Sequence, residues 1–288
     1  IFLGLVQALT EYLPVSSSAH IRIIGDLMLG SDPGAAFTAI IQIGTELAVI
    51  LYFRRDIIRI LGAWFGSLFG KEGKDFKSRM GAHNPDTQMG WFIILGTMPI
   101  LIAGLLFKHA IEGSLSNLWI TVTVLVLFGV LLWVVDARSK QVKTMKEMTW
   151  KDALIFGIGQ MLALIPGVSR SGGTITFGRA MGYTREAAVR VSFLMAIPAV
   201  FGAGILEAIS AVKDVAAGDA GMFPGWGPTI AAAIVAFVVG YVVIIGFLKF
   251  VSTFSYKAFA IYRIGLAVVV ALLLITGVLS PLEAVAAA

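Results

Sequence analysis

Cysteine is absent from the 288 residues, which removes disulfides and thiol chemistry from consideration. Charge is scarce as well. Asp, Glu, Lys and Arg make up 14% of the chain against 58% hydrophobic residues, a balance that excludes an ordinary soluble domain. No segment shows the ten-residue alternation of a membrane barrel strand, so the α-helix is the element left to cross a bilayer. A Walker phosphate loop is missing too, because no glycine-lysine-serine/threonine run occurs at the required spacing. The net charge of +5 is spread over loops. Basic loops beside a membrane report topology and contact with anionic lipid rather than with nucleic acid, so membrane lipids are the expected partners and nucleic acid is not.

What is present is apolar length. A helix needs about 20 apolar residues to cross the hydrocarbon core. Six segments meet that need, at 35–53, 89–108, 117–136, 186–208, 227–250 and 258–279. Residues 1–30 and 152–182 are apolar at both ends but are interrupted by "PVSSSAH" and "PGVSRSGGT". Each half is too short to span, so both stretches read as re-entrant helical hairpins whose tips lie at membrane depth, where irregular backbone needs protein or a wet cavity around it. The expected fold is an all-α polytopic membrane protein with six transmembrane helices and two opposed re-entrant hairpins.

Lys and Arg number seven in 54–88, five in 136–152, three in 179–190 and three in 249–263, whereas 109–116 and 209–226 hold only Lys213. The positive-inside rule makes the basic segments cytoplasmic and puts both termini on the outer side. The first hairpin then enters from outside and the second from the cytoplasm, so that their tips approach each other. "GLVQALTEYLPVSSSAH" aligns with "GIGQMLALIPGVSRSGG" at a constant offset of 153, which pairs Gln7 with Gln160 and Ser16, Ser17 and Ser18 with Ser169, Arg170 and Ser171. One hairpin plus three spans per half gives an inverted repeat, approximately 1–136 and 152–280, within a single membrane domain covering 1–288. Inverted repeats with broken helices build sites near the midplane. The amphipathic stretch 54–69 is expected along the inner interface.

The polar residues concentrate in the two tips. Gln7 and Glu11 are four apart, on one face of a short helix, and their oxygens suit a hard cation such as Mg²⁺ or Ca²⁺ that completes its shell with phosphate. Glu11, with Gln7, serves catalysis by holding that cation or by orienting His20; the alternative is that Glu11 only caps or hydrogen-bonds the backbone of the tip. Ser16, Ser17 and Ser18 offer a nucleophile, hydrogen-bond donors and a helix cap, and His20 follows at helical spacing, near either Ser16 or Ser17. Ser17 with His20 as general base is the favoured catalytic pair; water activated by His20 is the variant. In the second tip, Arg170 offers a planar cationic fork, with Ser169, Ser171 and Thr174 as hydroxyl donors and a helix N-terminus facing the tip, all suited to an anion. A buried Arg170 that merely neutralises Glu11 is the competing reading. Glu46, mid-span, needs an interior partner and either supports the site or is purely structural. Tyr262 and Arg263 read as an inner-face anchor. His83 and His109 are assigned nothing.

Gln7 to Glu11 with "LPVSSSAH", taken together with "PGVSRSGGT", resembles the undecaprenyl-diphosphate phosphatase family, also called the bacitracin-resistance protein family, over nearly the whole chain. Its glutamate/glutamine-x3-glutamate motif falls on Gln7 and Glu11, its PGxSRSxxT motif on Pro166 to Thr174, and its histidine on His20. Ala19 stands where the family has glycine, and Gln7 leaves one carboxylate fewer for metal. The resemblance implies an enzyme of the bacterial inner membrane that hydrolyses a C55 isoprenyl diphosphate to the monophosphate carrier of peptidoglycan synthesis, conferring bacitracin resistance. A homo-oligomer stays open. A transporter or flippase of a phosphorylated isoprenyl lipid is the rival reading, since inverted repeats and broken helices serve transport equally.

Overall fold

The computed structural model describes residues 1–29, 34–107, 111, 114–217 and 223–282, and among them every named element is helical. Helices α1 (Phe2–Thr10) and α2 (Ser17–Leu29) form the first hairpin. Pro14, which lacks an N–H, and Ser16, held at φ 72°, end one helix before the other begins. Helix α3 (Ala35–Tyr52) follows, and α4 (Arg54–Leu68) leaves it at a bend of 77° with Arg54, Arg55, Ile58 and Arg59 exposed. After the short α5 (Phe76–Arg79), Asn84 caps α6 (Pro85–Leu106) by accepting from the Asp86 N–H at 2.9 Å. Asn117 does the same for α7 (Leu118–Arg138) through the Trp119 N–H at 2.8 Å.

The second hairpin consists of α8 (Trp150–Met161) and α9 (Arg170–Ala180), joined through a 3₁₀ turn at Leu162–Leu164 and the Pro166–Gly167 break. Thr149 and Asp152 start α8 as a reciprocal capping pair. Helices α10 (Arg185–Ala217), α11 (Trp226–Thr253) and α12 (Lys257–Ile275) complete the chain. Four helices, α6, α7, α11 and α12, are long and apolar enough to cross a membrane, and α3 with α4 taken as one bent unit makes five. The spans read at 35–53 and 186–208 are helical, as α3 and α10. The connections 109–116 and 209–226 lie partly outside the described residues, as does His109.

The helices pack in reciprocal pairs. Helix α1 lies against α11 as α8 lies against α6, α3 packs on both α10 and α11 while α10 packs on α6, and α7 pairs with α12. Close approach explains two glycines: a Cβ at Gly4 would sit 2.3 Å from the Ala232 carbonyl oxygen, and one at Gly157 would sit 2.4 Å from that of Gly96. These glycines are themselves related by the offset that aligns the two tips. The interior is filled by a cluster that includes Tyr12, Phe53, Phe156, Phe193, Phe247 and Tyr256, while Leu105, Leu106, Ile234 and Val242 face outward, as helices in lipid require.

A buried ion cluster at the end predicted to be cytoplasmic fixes the foot of the second hairpin. Asp136 Oδ1 accepts from Arg179 Nε at 2.8 Å and Arg185 Nε at 2.9 Å, and its Oδ2 accepts from the Tyr256 N–H at 3.1 Å. Arg179 also donates to the Tyr183 carbonyl. The cluster ties α7, α9, α10 and the start of α12, so the tip of α9 is held at a set height.

Candidate active site

Both turns use the same local device. Ser16 and Ser169 adopt φ values of 72° and 69°, a region that L-residues enter only at a cost of about 1–3 kcal/mol. Each is bonded through its hydroxyl to the serine two residues on, Ser16 to Ser18 at 3.2 Å and Ser169 to Ser171 at 3.2 Å. Ser169 also accepts from the Gly172 N–H at 3.2 Å and so caps α9. The serine count in each motif is thus partly spent on turning the chain.

The turns meet. Arg170, the first residue of α9, reaches across and donates from Nη2 to Glu11 Oε1 at 2.6 Å and to Glu46 Oε1 at 2.9 Å. Glu11 Oε2 accepts from Ser17 Oγ at 2.6 Å and from Gln7 Nε2 at 2.9 Å. Ser171 donates to the Leu13 carbonyl at 3.0 Å, stitching one turn to the other. Glu11 and Glu46 are 4% and 0% exposed, so both carboxylates rely on these partners instead of water.

Glu11, Ser17, Ser18, Ser169 and Arg170 line one end of a cleft of about 550 Å³. Apart from Gln42, the rest of its wall is apolar, with Ile100, Leu101, Leu105, Leu164 and Pro198. A ligand with an anionic head and a hydrocarbon tail matches such a division. Of the predicted diphosphate contacts, Ser18, Ser169 and Arg170 face this cleft. Ser16 and Ser171 are buried in the turns, and Thr174 Oγ1 donates back to the Arg170 carbonyl at 2.7 Å within its own helix.

His20 is placed differently from expectation. Its helical spacing does bring it to Ser16, but to the carbonyl oxygen, 2.7 Å from Nδ1, instead of a hydroxyl. A carbonyl only accepts, so Nδ1 carries the proton, and in the neutral ring Nε2 accepts from the Tyr262 hydroxyl at 2.6 Å. His20 and Tyr262 line a separate, mostly apolar cavity of about 480 Å³ with Val6, Leu9 and Phe259. The expected Ser17–His20 pair is therefore not formed. The side chain bonded to the Ser17 hydroxyl is the Glu11 carboxylate.

Three further residues were not foreseen as parts of this region. Arg263 does not snorkel: it is fully buried and donates to the carbonyls of Pro14 (3.1 Å) in one turn and Gly167 (2.7 Å) and Val168 (3.0 Å) in the other. A Cβ at residue 172 would lie 2.9 Å from Arg263 Nη1, so Gly172 makes room for this clamp and not for a ligand. Tyr262, beside it, holds His20. Gln42 lines the cleft and precedes Glu46 by four residues, the same spacing as Gln7 and Glu11, which was the available signal.

The donor set around Glu11 can be compared with what a hard cation needs. Among the described residues no group of three or more His, Cys, Asp or Glu comes together. Gln7 spends its Nε2 on Glu11, which leaves its amide oxygen as a ligand. One carboxylate and one or two neutral oxygens fit Mg²⁺, which is commonly held by few protein ligands plus substrate phosphates.

The bacitracin resistance protein BacA family model matches residues 1–269. An undecaprenyl-diphosphatase of Bifidobacterium adolescentis is 92% identical over 288 residues, covering 100% of this chain and 98% of that protein. One from Bifidobacterium animalis subsp. lactis is 77% identical over 285 residues, 99% of this chain and 96% of its own length. One from Pseudarthrobacter chlorophenolicus is 54% identical over 280 residues, 96% of this chain and 97% of its own. On these matches, the chain belongs to the bacitracin resistance protein BacA family.

Proposed function

We propose that this protein is an integral-membrane phosphatase that hydrolyses undecaprenyl diphosphate to undecaprenyl phosphate and phosphate, returning the lipid carrier to peptidoglycan synthesis. The observation that carries this reading is the convergence of Arg170, Glu11 and Ser17 at the polar end of an otherwise apolar cleft. The shared name of the relatives favours hydrolysis over transport of the same lipid.

The isoprenyl tail lies along the apolar wall and the diphosphate reaches Arg170, Ser18 and Ser169. Phosphoryl transfer demands charge stabilisation above all, and the guanidinium and the N-terminus of α9 supply it. Ser17 Oγ attacks the terminal phosphorus, its proton passes to Glu11 Oε2, and the phosphoanhydride bond breaks with undecaprenyl phosphate leaving. Glu11 then releases that proton to water. A water attacks the seryl phosphorus, passing a proton through Glu11 Oε2 to Ser17 Oγ as the Oγ–P bond breaks, and phosphate leaves. His20 keeps the turn in shape through the Ser16 carbonyl and is not the base for Ser17.

Glu11 and Glu46 both bond Arg170, so its positive charge is already balanced when a diphosphate arrives. Mg²⁺ or Ca²⁺ held by Glu11 and the Gln7 amide oxygen would neutralise the diphosphate and polarise the phosphoryl group. The membrane arrangement proposed is six spans and two re-entrant hairpins of an inverted repeat in the bacterial inner membrane, with both termini outside. Reciprocal helix packing, meeting turns and the Lys/Arg distribution support it. Purified protein given undecaprenyl diphosphate and Mg²⁺ should release phosphate and accumulate the monophosphate. Diphosphate that crosses a vesicle membrane intact would instead favour transport.

A further inference from the structure

Glu46 has no place in the reaction sequence above, although it is fully buried in α3 and its Oε1 shares Arg170 Nη2 with Glu11. Its other oxygen, Oε2, has no hydrogen-bond partner, and neither has Arg170 Nε. Each of the two N–H bonds of Nη2 therefore takes one carboxylate, and with Nε sealed in protein, Nη1 is the nitrogen left for the cleft that Arg170 lines. Gln7 stands where the aligned motif admits a second carboxylate, so Glu46 is the only other acid bonded to Arg170 among the described residues.

We infer that Glu46 is a positioning residue for the phosphatase reaction: it holds one edge of the Arg170 guanidinium away from Glu11, which keeps Nη1 turned to the substrate phosphate and Glu11 Oε2 free to accept from Ser17. The physical reason is competition for geometry. An arginine with a single carboxylate partner pairs with it side-on through two nitrogens, engaging both oxygens. Without Glu46, Arg170 would close onto Glu11 in this way, withdraw Nη1 from the cleft and displace the Ser17 hydroxyl from Oε2. A remaining Arg170–Glu11 pair is charge-balanced, so removal of Glu46 leaves no isolated buried charge and the fold is retained. The inference rests on the phosphatase reading.

The test is steady-state phosphate release from undecaprenyl diphosphate by the purified parent, Glu46→Met and Glu46→Gln, with thermal midpoints measured in the same detergent. Met keeps the length of Glu without its oxygens, and Gln keeps an acceptor for Nη2. The expected result is a kcat at least tenfold lower in E46M, with KM within about threefold and an unchanged midpoint, and a kcat in E46Q recovered to within about threefold of the parent. A parent kcat in E46M overturns the inference, as does a loss of activity that is equal in E46M and E46Q and follows a fall in midpoint. Failure of the parent itself to release phosphate would overturn the phosphatase reading instead.

Discussion

Arg170→Ala removes the one cation that joins two buried acids, and the consequence can be worked out from the distances. Nη2 stands 2.6 Å from Glu11 Oε1 and 2.9 Å from Glu46 Oε1, so the carboxylates are close neighbours once it is gone. Breaking a buried pair by deleting one partner costs about 3–5 kcal/mol. The thermal midpoint in detergent should therefore fall by roughly 10 °C, and phosphate release should be nearly abolished. The informative variant is the double substitution Arg170→Ala with Glu46→Met. It removes one of the stranded carboxylates and leaves Glu11 with its donors Ser17 and Gln7, so most of the lost midpoint returns while activity stays absent. Parent-like stability of R170A, or no recovery in the double variant, would show that the two buried acids do not depend on Arg170.

Arg263→Met empties the clamp between the turns and strands the carbonyls of Pro14, Gly167 and Val168, so both stability and turnover should fall, by about 3 kcal/mol and more than tenfold, read by melting and phosphate release. Asp152 gives a pH prediction at the foot of α8. Burial raises its pKa, but hydrogen bonds from the Thr149 side chain and backbone, from Tyr183 and from Lys143 outweigh this and hold it below the usual aspartate value. A depressed folded-state pKa stabilises above pH of about 4, and that stability is lost as pH falls through the folded value. The melting midpoint of the parent should thus decline below about pH 4, and Asp152→Asn should flatten that decline. Because the chain has no cysteine, each introduced cysteine is unique to an impermeant thiol reagent. Cysteines at Lys71 and Lys140 should label only from the cytoplasmic side and one at Gly277 only from outside; the reverse pattern would invert the proposed topology.

The hairpins were legible because their interruptions are chemical. Pro14 and Pro166 lack the N–H that would continue the helical ladder and Gly167 admits a φ of 98°, and both turns form at those places. The meeting of Glu11 and Arg170 was foreseen in the reading of a buried Arg170 that neutralises Glu11, and the two side chains are bonded at 2.6 Å. Spacing misled at His20. A four-residue step brings its ring to Ser16, but a helix start presents the carbonyl of that residue along the same direction as its hydroxyl, and the pattern does not choose between them. Arg263 was hidden by a sound general rule, that cations near span ends reach for the interface. Its true partners are carbonyls from segments about 95 and 250 positions away along the sequence, which only tertiary packing brings together. Glu46 was legible as needing a partner, and its partner was named by the structure alone.

Ser17, Glu11 and Arg170 form the proposed hydrolytic site. Phosphate release from undecaprenyl diphosphate by purified parent, Ser17→Ala and Glu11→Gln tests it most directly. Loss of a nucleophile or of the base in contact with it costs on the order of 10³-fold or more, so both variants should turn over at least 10³-fold more slowly while eluting as folded protein. Turnover within tenfold of the parent in either variant, or loss confined to His20→Ala, would place the chemistry on other residues.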